Sequence, residues 1–309
     1  MTPAKRQTSP ARKVGGNRSH SLEAPPVALS IAGFDPSSGA GITADLKTFA
    51  AHEVYGVACI SAITVQSTLG VLAVKPLKPL LVRDTLACLA EDVSFSGIKI
   101  GMLGGGGVAR VVARFLDGLL TQGRIARSHI VLDPILRSSS GRALLDRQGL
   151  HTLRSQLLRT VGWITPNLDE LALMIGAPGL QRRQIPAAAA RLQKMAASLG
   201  NRELNVVVTG GHLKRPDEFL LTADGKQCWL HGEMVHTRST HGTGCAFSSA
   251  LVCSLIAGKT PAVAAAQAKE YVTAALQAAL PVGRGAGPMH HLFRLAAEGL
   301  PSTPRSRKK

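Results

Sequence analysis

The sequence contains no uninterrupted apolar run of about 18 residues, the length a membrane-spanning helix needs. Its longest apolar stretch, Ala246 to Ala257, is broken by Ser248, Ser249 and Ser254. No transmembrane segment is therefore expected. No apolar segment follows the basic N-terminal residues either, so no secretory signal is expected, and residues 1 to 22 lack the apolar face of an amphipathic transit peptide. The 5 cysteines (59, 88, 228, 245 and 253) form no C-x-x-C pair and leave an odd thiol, which points to a reducing, cytoplasmic setting. Charged residues make up only 18% and aromatic residues only 4% of the chain, against 45% hydrophobic. That balance excludes global disorder and collagen-like structure and describes a soluble globular chain built on Ala, Leu, Val and Gly.

Acidic residues are scarce: 19 Asp and Glu stand against 36 Lys and Arg, a net charge of +17. Five cations and one anion precede Ala24, and Arg305, Arg307, Lys308 and Lys309 close the chain, so about half of the excess lies outside the body. Both ends are rich in Pro, Ser and Thr without apolar periodicity, and they bury too little surface to offset ordering entropy. Residues 1–24 and 301–309 are expected to be disordered basic tails flanking a single domain over 25–300. Nucleic-acid contacts would then be nonspecific and confined to the tails.

The body alternates short β-rich runs with helical stretches. The runs are 27–34, 57–66, 98–103, 129–136, 161–166 and 204–209. Their regular spacing predicts βαβ units and a parallel sheet, and their nearly continuous apolar character predicts a sheet covered on both faces. A hairpin is expected over 219–237 with Asp224-Gly225 as its turn, and helices at about 243–257 and 261–280. Ligands of open parallel sheets bind beyond the carboxyl ends of the strands. The polar residues there are Asp35, Gln66, Asp133, Asn167 with Glu170, and Thr209.

Gly39-Ala-Gly41-Ile-Thr-Ala44 matches the dinucleotide fingerprint G-x-G-x-x-A, but the second strand ends in Val65-Gln66-Ser67 where a ribose-binding acid is required. Gly258-Lys259-Thr260 resembles the end of a Walker A loop, but it follows a helix, and Cys253 stands where the first glycine belongs. His290-His291 has no apparent third metal ligand. Thr240-His241-Gly242-Thr243-Gly244-Cys245 is stronger: small residues open a helix there, leaving backbone N–H groups free to hold an anion at the positive end of the dipole. The same field favours a Cys245 thiolate as base or nucleophile, while an incoming anion opposes it, so the sequence leaves the net direction open; the plain alternative is a structural cysteine beside a cap. Asn167 and Glu170 lie three apart at a helix start, where they could share a hydrated Mg²⁺ or simply cap the helix.

Together AGFDPSSGAGITADLKT, TVQST, KIGML, LDPIL, TPNLDEL, TGGHL, THGTGC and GRGAGPMHH, in order from about Ala28 to His291, resemble the hydroxymethylpyrimidine/phosphomethylpyrimidine kinases of thiamine biosynthesis, in the ribokinase superfamily. The resemblance implies a three-layer α/β/α sandwich with a mostly parallel central sheet. It also implies transfer of the ATP γ-phosphoryl group to 4-amino-5-hydroxymethyl-2-methylpyrimidine and then to its monophosphate. By resemblance Gln66 would bond the aminopyrimidine edge, with Asp45, Met102 and the backbone at Gly33 completing the pocket. Gly242, Thr243 and Gly244 would form the anion hole, with Thr209 and Asp133 beside the ATP phosphates and Cys245 as the base where sugar kinases carry Asp. Asn167 and Glu170 would organise Mg²⁺ and its waters. A homodimer is implied, and a monovalent cation is allowed beside ATP and Mg²⁺.

Three departures from the family pattern are Thr209 where many members have Lys, the four glycines Gly104 to Gly107, and Phe34 in place of a small polar residue. The alternative within the fold is a pyridoxal-type vitamin kinase. In another class, the alternative is a non-catalytic binder of nucleic acid or polyphosphate.

Overall fold

The computed structural model describes residues 24–138, 141–210 and 215–297. Apart from Ala24, the tails expected at 1–24 and 301–309 lie outside the described residues.

One nine-stranded sheet organises the chain, in the order β3-β2-β1-β4-β5-β6-β7-β8-β9. Its strands are β1 (Val27–Phe34), β2 (Tyr55–Ser67), β3 (Gly70–Pro76), β4 (Gly97–Ile100), β5 (Ile130–Leu132), β6 (Trp163–Ile164), β7 (Asn205–Val208), β8 (Glu218–Leu221) and β9 (Gln227–Leu230). The six strands β2, β1, β4, β5, β6 and β7 are parallel, and antiparallel pairs close both edges. Between them run α1 (Gly41–Ala51), α2 (Pro79–Asp92), α3 (Gly106–Thr121) and α4 (Arg147–Thr152), which passes through a π-helical turn (Leu153–Leu157) into α5 (Leu158–Thr160). Then follow α6 (Leu168–Ile175), α7 (Ile185–Ser198), α8 (Thr243–Ile256), α9 (Pro261–Gln277) and the short α10 (Phe293–Ala297).

Two-residue alternation along the strands builds two cores. Leu29, Ile31, Ile98, Ile100, Ile130, Leu132, Ile164, Val206 and Val208 pack with α2 to α7 on one face. Ala28, Val131, Trp163 and Val207 pack with α1, α8 and α9 on the other. This is the expected three-layer sandwich. Among the described residues no helix is long and apolar enough to cross a membrane.

The parallel strands are shorter than the sequence suggests at β5 and β6. Pro134 and Pro166 stand just beyond their ends, and a residue without an N–H cannot extend a ladder. The hairpin after β7 turns at Asp224-Gly225 as expected, with Gly225 at φ 84°, but its strands end at Leu230 rather than Thr237. Strand β3 was not anticipated. It folds back from β2 through Thr68-Leu69, with Ser67 Oγ accepting from the Leu69 N–H at 3.2 Å.

The order of β2, β1 and β4 places a crevice at the carboxyl ends of β1 and β4, where successive crossovers leave in opposite directions.

Candidate active site

Two helix N-termini meet at that crevice. Gly41 opens α1 at φ +57°, and a Cβ there would lie 2.1 Å from the Gly33 carbonyl oxygen. Gly242 caps α8 at φ 84°, and a Cβ there would lie 1.9 Å from the Gly39 carbonyl oxygen. Only glycine permits this contact between two loops so far apart in the chain. Neither helix has a side-chain cap, so the first amides of α8 (Thr243, Gly244 and Cys245) stay available to an anion.

Cys245 Sγ sits between the two helix starts and accepts from the backbone N–H of Gly41. It is only 6% exposed, and that burial decides its chemistry. Desolvation pushes the thiol up to about 12, with Asp133 and Asp45 adding to the rise and Lys99 and the Gly41 amide opposing it. The helix N-terminus favours a thiolate, but the net direction, which the sequence leaves open, is upward. Loss of hydration outweighs the helix field, and the resting thiol keeps its proton.

Beneath Cys245 lies a closed polar cluster. Lys99 Nζ donates to Asp45 Oδ1 and Oδ2 at 2.9 and 3.0 Å, Ser249 Oγ donates to Oδ1 at 2.8 Å, and Ser30 Oγ donates to Oδ2 at 2.6 Å. Burial pulls the Lys99 ammonium down, but Asp45, Cys245 and Asp133 outweigh it and hold it above the ordinary lysine value. Asp45, expected in the substrate pocket, has no exposed side-chain surface, and its carboxylate is occupied by these donors. Its place is a support under the site. Lys99 was missed as a site residue although it stands inside KIGML. The readable signal was a lysine between two buried isoleucines of an apolar strand, which requires a buried partner.

Asp133, just past β5, accepts from Ser248 Oγ at 3.2 Å and faces the start of α8, where a Cβ on Gly244 would lie 3.8 Å from its Oδ2. Burial pushes its carboxyl up to about 6 against the pull of Lys99. Glu170 goes further, up to about 8, through burial and the negative charge of Asp133. Asn167 and Glu170 form a reciprocal capping box: Asn167 Oδ1 accepts from the Glu170 N–H at 2.9 Å, and Glu170 Oε2 accepts from the Asn167 N–H at 3.0 Å. The helix-cap reading thus accounts for the Asn167 oxygen, while the acid facing Glu170 is Asp133. Thr209 follows β7 and bridges to Asn167, its N–H donating to the Pro166 carbonyl at 2.9 Å.

On the opposite wall Gly33 gives room to Met102, whose Cε would lie 2.0 Å from a Cβ at that position. Gln66 Nε2 lies 2.9 Å from His241 Nε2, which in turn is 2.8 Å from Asp35 Oδ2. His241 was read only as part of a glycine-rich helix opening. Nearby, Arg238 and Arg284 flank an open recess of about 280 Å³ with Gly285 and Ala286. Gly285 is tied to the rim through its N–H, which donates to Thr68 Oγ1 at 3.3 Å.

Residues 35–290 match the family model described as phosphomethylpyrimidine kinase. The chain is 36% identical over 268 residues to a hydroxymethylpyrimidine/phosphomethylpyrimidine kinase of Haemophilus influenzae, covering 85% of this chain and 95% of that one. Among solved structures it is similar to the phosphomethylpyrimidine kinase of Clostridium difficile (TM-score 0.67, 29% identity, 81% of this chain and 100% of that chain). It is also similar to a Staphylococcus aureus pyridoxal kinase in complex with ADP (TM-score 0.75, 26% identity, 88% of this chain and 95% of that chain).

Proposed function

The chain belongs to the phosphomethylpyrimidine kinase family, and on that premise we propose that it phosphorylates 4-amino-5-hydroxymethyl-2-methylpyrimidine with ATP and then phosphorylates the monophosphate, supplying the pyrimidine diphosphate for thiamine biosynthesis. The observation that carries this reading is the shared rim. Gln66 contacts His241, which directly precedes the Gly242 cap of α8, and the first turn of that uncapped helix carries Cys245, an arrangement that supports holding a phosphate, a hydroxyl and a heterocycle edge together.

In this reading the γ-phosphate lies against the amides of Thr243, Gly244 and Cys245, where the α8 dipole favours negative charge. Gln66 holds the aminopyrimidine edge, and Gly33 with Met102 shapes the apolar wall. The transferred group passes through a loose transition state, so positioning and charge neutralisation supply most of the rate. Cys245 takes the substrate hydroxyl proton. Because burial holds the resting thiol protonated, it first gives its own proton to solvent, and the thiolate so formed, above the Lys99–Asp45 pair, accepts the hydroxyl proton as that oxygen bonds to phosphorus and ADP leaves.

Asp133 and Glu170 fit Mg²⁺: two buried carboxyl groups raised by burial, with Asp133 raising Glu170 further, form an acidic pair that a hydrated cation would relieve. Mg²⁺ there would neutralise charge on the ATP phosphates. Thr209 brings no charge, and for the second phosphorylation the missing cation is supplied by Arg238 and Arg284, which make no ion pair among the described residues.

Ile63, Val65, Leu69 and Leu72 expose an apolar row on the β2–β3 hairpin, which supports a homodimer through this sheet edge. Five free thiols support a cytoplasmic setting. A coupled ATP assay across hydroxymethylpyrimidine, its monophosphate and pyridoxal tests the function. Equal or better turnover of pyridoxal would make the chain a vitamin kinase of the other kind.

A further inference from the structure

The Asp35 carboxylate acts only as an acceptor. Its Oδ1 receives the Ser37 N–H at 2.8 Å and the Ser37 hydroxyl at 2.7 Å. Its Oδ2 receives the amides of Gly39 and Ala40 at 3.2 and 2.9 Å. His241 Nε2 approaches the same Oδ2 at 2.8 Å, so that nitrogen carries a proton and donates it. Burial raises Asp35, but the His241 and Ser37 hydrogen bonds outweigh it and hold the group at about 2, in keeping with an ionised acceptor.

A protonated Nε2 has no lone pair for Gln66. An amide NH₂ placed 2.9 Å away would set two donors against each other, and only the opposite amide orientation, with Oε1 toward the ring, turns the contact into a shared hydrogen bond. The imidazole is fixed from its backbone as well. The His241 N–H donates to the Gly287 carbonyl at 3.1 Å, and Gly39 leaves room for the ring, since a Cβ there would lie 2.5 Å from His241 Cδ2.

We propose that His241 is a positioning residue for substrate selection: its Nε2–H, anchored by Asp35, holds the carboxamide oxygen of Gln66 and so presents the remaining oxygen lone pair and the N–H in a fixed order to the heterocycle. That order matches a ring nitrogen acceptor beside an exocyclic amine donor, and it disfavours a heterocycle without the amine. The inference rests on the reading of Gln66 as the residue that contacts the substrate.

The test compares kcat/KM for the aminopyrimidine alcohol with that for the same alcohol lacking the 4-amino group, in the full chain. Wild type should prefer the amino compound by about tenfold or more, the worth of one well-made hydrogen bond. His241→Phe keeps a flat ring without a donor and should collapse that preference while turnover of the desamino compound persists. His241→Gln, which can donate to both neighbours, should restore part of it. Nitrogen-15 NMR of the imidazole should show Nε2 protonated. A proton on Nδ1 alone, or an unchanged preference in a folded His241→Phe protein, overturns the proposal. Gln66→Leu separates the layers. If it abolishes the preference and His241→Phe does not, only the His241 inference fails. If Gln66→Leu leaves the preference intact, the substrate contact itself is wrong and the inference falls with it.

Discussion

Lys99 Nζ bridges both carboxylate oxygens of Asp45, at 2.9 and 3.0 Å, and neither side chain has any exposed surface. Removing one partner strands a buried charge, whereas removing both need not. Lys99→Met should cost about 3–5 kcal/mol in urea unfolding. Lys99→Met combined with Asp45→Leu should recover much of that loss. Two single variants that simply add in the double would show that the pair is not coupled.

Cys245 is expected to show its role in the pH profile of kcat. With the resting thiol near 12, a base that must first ionise gives a rate rising about tenfold per pH unit through the alkaline range. Cys245→Ala should lower kcat by about 10²–10⁴-fold with little change in ATP affinity. Cys245→Asp should restore part of the rate and flatten the slope. A flat wild-type profile would make the thiol a positioning group rather than the base.

His291 should make the protein acid-labile. It is 3% exposed with Nε2 unpartnered, and burial, reinforced by Lys47, lowers its pKa from 6.5 to about 4. The unfolded chain binds the proton more readily, so stability falls as pH drops below 6.5 and levels off near 4. The total is on the order of 3 kcal/mol. His291→Gln should remove most of this slope. Thermal midpoints of the two proteins that run parallel between pH 7 and 4 would contradict it.

Arg238 and Arg284 should matter more for the second phosphorylation than for the first. Substituting both by Gln should raise KM for the monophosphate by about tenfold or more, the scale of a charge-assisted hydrogen bond, and leave the alcohol nearly unaffected. Equal effects on both substrates would remove the two side chains from phosphate recognition.

The body 25–300 should act as one catalytic domain. A chain spanning Ala24 to Leu300 should keep kcat and lose any salt-sensitive binding to nucleic acid. A loss of activity in that chain would show that a tail contributes to the fold.

The order and type of most strands could be read from the sequence because buried parallel strands are written as apolar runs, and β1 falls on 27–34 as expected. Strand β3 could not be read this way. Gly70–Pro76 lies at the edge of the sheet, where half-buried Val71 and Val74 are separated by residues that neither face requires. The rim residues were legible because strand ends and glycine-rich helix starts are local features. Their partners were not: Lys99 and Asp45 are 54 residues apart, and His241 and Asp35 are 206 apart, so only the finished topology brings them together. The state of Cys245 was likewise hidden, because burial and the helix field act in opposite directions and only the structure weighs them.

The seam in which Gly39 and Gly242 touch through backbone alone also sets a schedule. One side of the crevice is synthesised early and the other late, and the strap that holds His241 reaches it only at Gly287 and Pro288. A nascent chain can therefore complete most of its sheet while His241 still lacks the strap that fixes it, because contacts of such separation close last. Competence to bind should arrive in one late step, after nearly all of the folding free energy has been gained.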